Sequence, residues 1–337
     1  MRPTSIRPAR RALPPALAAL AALAVLAAGC SKTGKVTGPQ GDDSGEHLVA
    51  FASDRNSPGT FHVYLYDLDQ LGFHLLPGLT AGESDREPAI SNDGRFIAFS
   101  AVRARGGAGG RDVYVYDRLQ QQLVATPGLN TAADEVQPRF TYDAVKLAFV
   151  RDSLGVSRVR LYEPVGDTLV ALPGLAAAGA GNDEAPAPNL DGTRIAFQSD
   201  RSGDGHWHVY VWDRGAGGLL ATPGLVSDSN EVEPSLTPDG RWLAFASNRA
   251  GGAGGFDVYL YDLQADTLVA LPTLNTAADE RHPALSSEAV HVVFQSPRAG
   301  GAGLDDLYFY DRTDSLTSQP SGFRSSDEDI EPFLRWR

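Results

Sequence analysis

Six carboxylates stand three residues ahead of a proline at regular intervals. Asp85, Glu135, Asp183, Glu231, Glu280 and Asp329 precede Pro88, Pro138, Pro186, Pro234, Pro283 and Pro332. A guanidinium recurs on the same beat at Arg55, Arg103, Arg201, Arg249 and Arg298; the third copy has Ser153 there, with Arg151 two places earlier. Two chemistries fit. Carboxylates collected in a ring at a channel mouth focus negative potential and hold a cation or a basic peptide. Carboxylates facing arginines instead form bidentate pairs that brace a fold. Both stay open on the residues alone. Further acids at Glu87, Asp134, Glu233, Asp279, Glu328 and Glu331 outnumber the arginines, which keeps a binding role in view.

Other chemistry is sparse. His206-Trp207-His208 places two imidazoles on one strand face, but a third zinc ligand is not evident. His62 and His208 occupy the place held by Asp112 or Asp257 in other copies. The glycine-rich stretches 106–110, 251–255 and 300–303 are not followed by a helix, so they read as strand connections and not as phosphate cradles. Neither a nucleophile elbow nor a zinc-protease helix is recognisable, and no residue set demands a cofactor. The formal net charge of −13 argues against nucleic acid as a partner, because phosphate calls for a basic surface.

The elements that must position these residues come from an internal repeat. A small apolar residue followed by phenylalanine ends a strand at Phe51, Phe99, Phe149, Phe197, Phe245 and Phe294, in steps of 48 to 50 residues. An aromatic-acid pair keeps nearly the same period at Tyr66, Tyr116, Tyr162, Trp212, Tyr261 and Tyr310. The second copy predicts four strands. Pro88-Ala89-Ile90-Ser91 comes first, then a tight turn at Asn92-Asp93-Gly94. Strands over 95–100, 112–116 and 122–126 follow, rich in β-branched and aromatic residues. Such a unit repeated six times predicts an all-β chain, a six-bladed β-propeller with four antiparallel strands per blade. The final segment from Asp329 opens like a new blade, whereas the first copy lacks an opening strand. The two chain ends are therefore expected to share one blade.

The copies resemble the WD-like propeller repeat of the TolB type over about residues 46–337. The fifth copy shows it best, with Glu231-Val232-Glu233-Pro234, Thr237-Pro238-Asp239-Gly240, Ala244-Phe245, Ser247-Asn248-Arg249, Asp257-Val258-Tyr259 and Tyr261-Asp262. The resemblance implies the fold. TolB carries an additional domain before its propeller, so its envelope role does not transfer with it.

The start of the chain reads as an export signal over residues 1–29: Arg2, Arg7, Arg10 and Arg11, then an Ala/Leu run to Ala28. Cys30, the one cysteine, follows Leu26-Ala27-Ala28-Gly29 and resembles the lipobox of bacterial lipoproteins, with alanine where leucine is usual three places before it. That resemblance implies a diacylglycerol on the Cys30 thiol and cleavage just before it. Ser31 then implies an outer-membrane address. Residues 30–45 lack apolar periodicity and read as a lipidated tether, and 46–337 as the propeller. Cleavage removes four arginines and no acid, leaving the mature chain more acidic still. The expectation is a monomeric, non-catalytic binding or scaffold propeller, anchored to the envelope by its lipid, with a protein or glycan partner. The six acids are its candidate ring. The alternatives are a metal-dependent lyase or hydrolase at the channel mouth and a solute-binding lipoprotein.

Overall fold

The computed structural model describes residues 47–79, 84–102, 108–175 and 181–335. Cys30, the signal and tether segments, Arg103 and Trp336 lie outside them. Among the described residues the strands form six four-stranded antiparallel sheets, the blades of a propeller. Each blade steps outward from an inner strand beside the central axis. Five of the inner strands are Asp85–Ile90, Asp134–Phe140, Asp183–Pro188, Glu231–Leu236 and Arg281–Leu285.

The sixth inner strand is the C-terminal segment, Asp329–Arg335. It pairs antiparallel with Leu48–Ser53, with Leu48 opposite Arg335 and Ser53 opposite Asp329. The first blade is thus assembled from both ends of the chain, as expected. That pairing covers the edge of Leu48–Ser53, where unpaired backbone groups would otherwise sit.

Blades pack through the repeat's own markers. Phe51, Phe99, Phe149, Phe197 and Phe245 are fully buried, as are Tyr66, Tyr116, Tyr162, Trp212, Tyr261 and Tyr310. The outer aromatic also reaches back one blade. Tyr116 donates its hydroxyl to the Pro77 carbonyl, Trp212 its indole N–H to Pro173, and Tyr310 its hydroxyl to Pro272. One residue type thereby supplies apolar burial and satisfies a linker carbonyl.

The inner strand starts earlier than the sequence predicts. Asp85-Arg86-Glu87 belongs to the strand, and its register with Phe96–Val102 shifts between Arg86 and Ala89. The same irregularity recurs in every blade. The residue two after each acid adopts a positive φ: Glu87, Gln137, Ala185, Glu233, His282 and Glu331, between 48° and 57°. Left-handed backbone costs a non-glycine residue about 1–2 kcal/mol. Six repeats of that cost need a recurring return, which lies at the channel wall.

Candidate functional site: the central channel

The channel has two unlike ends. Inner strands begin at the loop end, where the second strand leaves for the third: Asp183 pairs with Ser199 and Glu231 with Ser247. The Asp-Gly turns lie at the opposite end, as expected. Gly94 turns there with φ +75°, a left-handed conformation that favours glycine, and its position faces the Arg335 guanidinium.

All six candidate acids are fully buried. Asp329 accepts from Arg55 at 2.8 Å, Glu135 from Arg151 at 2.7 Å, Asp183 from Arg201 at 2.5 Å, Glu231 from Arg249 at 3.2 Å and Glu280 from Arg298 at 2.9 Å. Asp85 is also buried, and its sequence counterpart Arg103 lies outside the described residues. Arg151 does in the third blade what Ser153 cannot. Each of these arginines also bonds a carbonyl of the preceding inter-blade link: Gly322, Leu129, Leu175, Leu225 and Leu274. The guanidinium stacks over its blade's aromatics, as Arg201 does at 4.8 Å from the Phe197 ring and 5.0 Å from Tyr210. Burial lifts the pKa of Asp329 above the ordinary carboxyl value in spite of Arg55. Five of the six acids therefore sit in ion pairs with arginines that also reach the preceding inter-blade link.

The residues facing the axis form a second ring, two positions further on. Glu87 N–H donates to Glu331 Oε2 at 2.7 Å, Gln137 N–H to Glu87 Oε2 at 2.8 Å, and Ala185 N–H to Gln137 Oε1 at 2.6 Å. Alanine has no acceptor to pass on. Gln198, on the second strand of that blade, takes its place and accepts from Glu233 N–H at 2.8 Å. Glu233 then accepts from His282 N–H at 2.8 Å. Gln295 substitutes for His282 and accepts from Glu331 N–H at 2.9 Å, which closes the belt. The left-handed backbone aims each N–H at its neighbour, so six half-buried backbone donors are satisfied. The proline that follows brings no further N–H needing a partner.

This belt yields an expected result. Gln198→Ala strands the Glu233 N–H and should cost about 1–3 kcal/mol. Adding Ala185→Gln should recover most of that loss, since Gln137 already serves from the equivalent place. Urea melts of the single and double variants check it; a double variant no better than the single would sink the belt.

A cavity of about 190 Å³ lies on the axis, lined by Glu87, Gln137, Arg139, Gln198, Glu233, His282 and Glu331 at the polar level. Two of its acids carry cations. Arg86 pairs with Glu331 at 2.8 Å, and Arg281 with Glu233 at 2.5 Å, with His282 3.3 Å from Glu233. Burial disfavours both carboxylates, but these cations outweigh it and hold Glu233 and Glu331 below the usual carboxylate range. Towards the turn end Tyr142 extends from the third blade to the fifth, its hydroxyl 3.4 Å from the Leu236 carbonyl. A second groove of about 480 Å³ opens beside His282 at the loop end, between Asp279, Arg281, Leu304 and Asp305.

The glycine-rich loops also fold onto acids. Asp112 accepts from Ala108 and Gly109 N–H, Asp257 from Ala253 and Gly254, and Asp306 from Ala302 and Gly303. In the fourth blade His208 replaces the aspartate, its ring nitrogens 2.6 Å from Glu231 and 2.9 Å from Asp204. Both nitrogens are thus engaged by carboxylates, which leaves no lone pair for a metal in the charged form. Among the described residues no group of three or more His, Cys, Asp or Glu side chains is gathered for a metal ion. Burial opposes the His208 imidazolium, yet Glu231 and Asp204 outweigh it and raise its pKa above the ordinary value. A raised histidine pKa stabilises fully below the unfolded value of about 6.5 and loses that contribution as pH rises through the folded pKa. His208→Gln should therefore flatten the fall in melting temperature above neutral pH. An unchanged pH profile in this variant would contradict the ion-paired imidazolium.

No family model matches the chain. Solved structures do. TolB from Acinetobacter baumannii superposes with a TM-score of 0.66 at 17% identity, covering 86% of this chain and 66% of that one. A putative TolB from Agrobacterium tumefaciens gives 0.59 at 14% identity, covering 86% of this chain and 99% of that one. The fold is that of the TolB-type propeller. The same fold appears in oligogalacturonate lyase from Vibrio parahaemolyticus, with a TM-score of 0.51 at 12% identity, covering 78% of this chain and 73% of that one. The architecture is therefore shared with a lyase, and the fold alone does not decide the activity.

Proposed function

We propose that this chain is a non-catalytic binding propeller of the bacterial envelope, tethered by lipid on Cys30, that takes a protein or glycan partner at the loop end of its channel. The observation that carries this reading is the polar cavity on the axis, narrowed by Tyr142 towards the turn end and adjoined by the groove beside His282. Preformed concave sites with a few convergent polar groups are the usual form of a binding site. The likeness to TolB propellers supports an envelope setting, and the sequence 26–30 supports the anchor. The buried acid ring supports the frame, and the groove beside His282 at the loop end meets the partner.

A photo-reactive amino acid at Leu304, which is exposed at the loop end, should cross-link an envelope component. The same probe at Leu190, exposed at the turn end, should not. Adducts from both positions alike, or from neither, would refute a loop-end site. Several acyl chains anchor stably where one binds only marginally. Wild type should accordingly incorporate a fatty-acid probe and Cys30→Ala should not; label on the variant, or none on wild type, removes the anchor from the proposal.

A further inference from the structure

The axial charges do not all cancel within the protein. Glu331 has Arg86, and Glu233 has Arg281 and His282. Glu87 has neutral donors, Ser100 Oγ at 2.6 Å and the Gln137 N–H at 2.8 Å, both on Oε2. Arg139 donates through Nη1 to the carbonyls of Pro138 at 2.9 Å and Glu87 at 3.3 Å. Its Nε and Nη2 have no acceptor among the described residues, and no carboxylate pairs with it there. That Nε–Nη2 edge is one of the two a guanidinium can offer to a carboxylate bidentately. Phe333 supports the guanidinium at 5.6 Å.

Arg139 is also out of pattern. The equivalent residues in the other blades are Ala89, Ala187, Ser235, Ala284 and Phe333. Small residues at Ala185, Ala187, Ser235 and Ala284 leave room across the axis, where the cavity opens. Burial pulls the Arg139 pKa below its ordinary value, with Glu87 and Glu331 opposing, so this cation is desolvated without an ion pair. Arg139 and Glu87 thus stand half-buried in the same wall, close enough to feel each other's charge but with no ion pair to either among the described residues, and a ligand carrying both opposite charges would pair each of them directly.

We infer that the axial cavity binds a small zwitterion, a free amino acid in chemical class, with its carboxylate on Arg139 and its ammonium on Glu87. This deepens the reading of the channel as a binding site and rests on it. A ligand of either single charge would satisfy one group and face the other unpaired. The cavity of about 190 Å³ is a preformed concave space on the axis, as small-ligand sites usually are.

The full mature chain would be titrated with the proteinogenic amino acids singly, beside the amine and the carboxylic acid that each retain only one of the two groups. Thermal shift and calorimetry are the readouts. At least one amino acid should bind, with neither half-molecule matching it. Arg139→Gln and Glu87→Gln should each weaken binding roughly tenfold or more, the loss expected for a charge-assisted pair. Arg139→Lys, which keeps the charge but loses the fork, should also bind more weakly and covers the case in which Arg139→Gln fails to fold. No amino acid binding to wild type, equal binding of the carboxylic acid alone, or undiminished binding by folded Arg139→Gln would each overturn the inference. Cross-linking from Leu304 in Arg139→Gln separates the two proposals, because persistence of that adduct leaves the loop-end partner site standing when the zwitterion site fails.

Discussion

Removing every residue from Asp329 onward is expected to abolish cooperative folding near room temperature. The segment is the inner strand of the first blade, so its loss exposes the backbone edge of Leu48–Ser53. It also takes away the Asp329 carboxylate from Arg55, the Glu331 carboxylate from Arg86, and the acceptor for the Glu87 N–H. Leu334 and Ile330 are buried, and burying a side chain of that kind contributes about 1.5–3 kcal/mol. Each lost hydrogen bond adds about 1 kcal/mol. Together these losses rival the ~5–15 kcal/mol that holds a typical native protein together. Circular dichroism on heating checks it, and a synthetic peptide of residues 329–337 added in trans should restore part of the transition. A truncated chain that melts like the intact one would contradict closure by shared ends.

Closure was readable because the repeat itself showed an orphan blade opening at Asp329 and a first copy without one. The recurrence of acid and arginine at fixed offsets from Phe and Pro was readable for the same reason, but it left pairing and a binding ring both open. What periodicity could not show was direction. Glu87, Glu233 and Glu331 looked like surplus acids because nothing in a linear pattern reveals a left-handed residue inside a strand. A signal for the belt was nevertheless present. Glutamine follows the marker phenylalanine at Gln198 and Gln295, in the two copies whose axial residue is Ala185 or His282. Where the axial residue is Glu or Gln, the same position holds Ala52, Ser100, Val150 or Ala246. The compensation becomes legible only after the ring is known to pass hydrogen bonds from blade to blade. Arg139 alone is charged among the residues after these prolines, so the repeat carries no signal for it.

The ring of buried acids makes its own prediction. Arg201→Ala is expected to cost about 3–5 kcal/mol, because Asp183 would be left as a buried carboxylate without its cation. Asp183 would keep one partner, the Ser199 hydroxyl at 2.8 Å. The Leu175 carbonyl would lose its donor, and the rings of Phe197 and Tyr210 their guanidinium cover. The melting temperature should fall by roughly 5–15 °C. Asp183→Asn should cost far less, about 1 kcal/mol, since an amide oxygen still accepts from Arg201 and Ser199. Replacing both partners by apolar residues of similar volume, Asp183→Leu with Arg201→Met, should recover much of the single-variant loss, because no charge is then stranded. A binding ring makes the opposite demand. There, Asp183→Asn would leave the melting temperature alone and abolish the adduct formed from Leu304. Differential scanning calorimetry with that cross-link as a second readout separates the two. Arg201 holds the acid, the preceding blade's carbonyl and the aromatic pair at once, so stability is the quantity expected to move, while the channel, which the strand reaches two residues further on, keeps its partner.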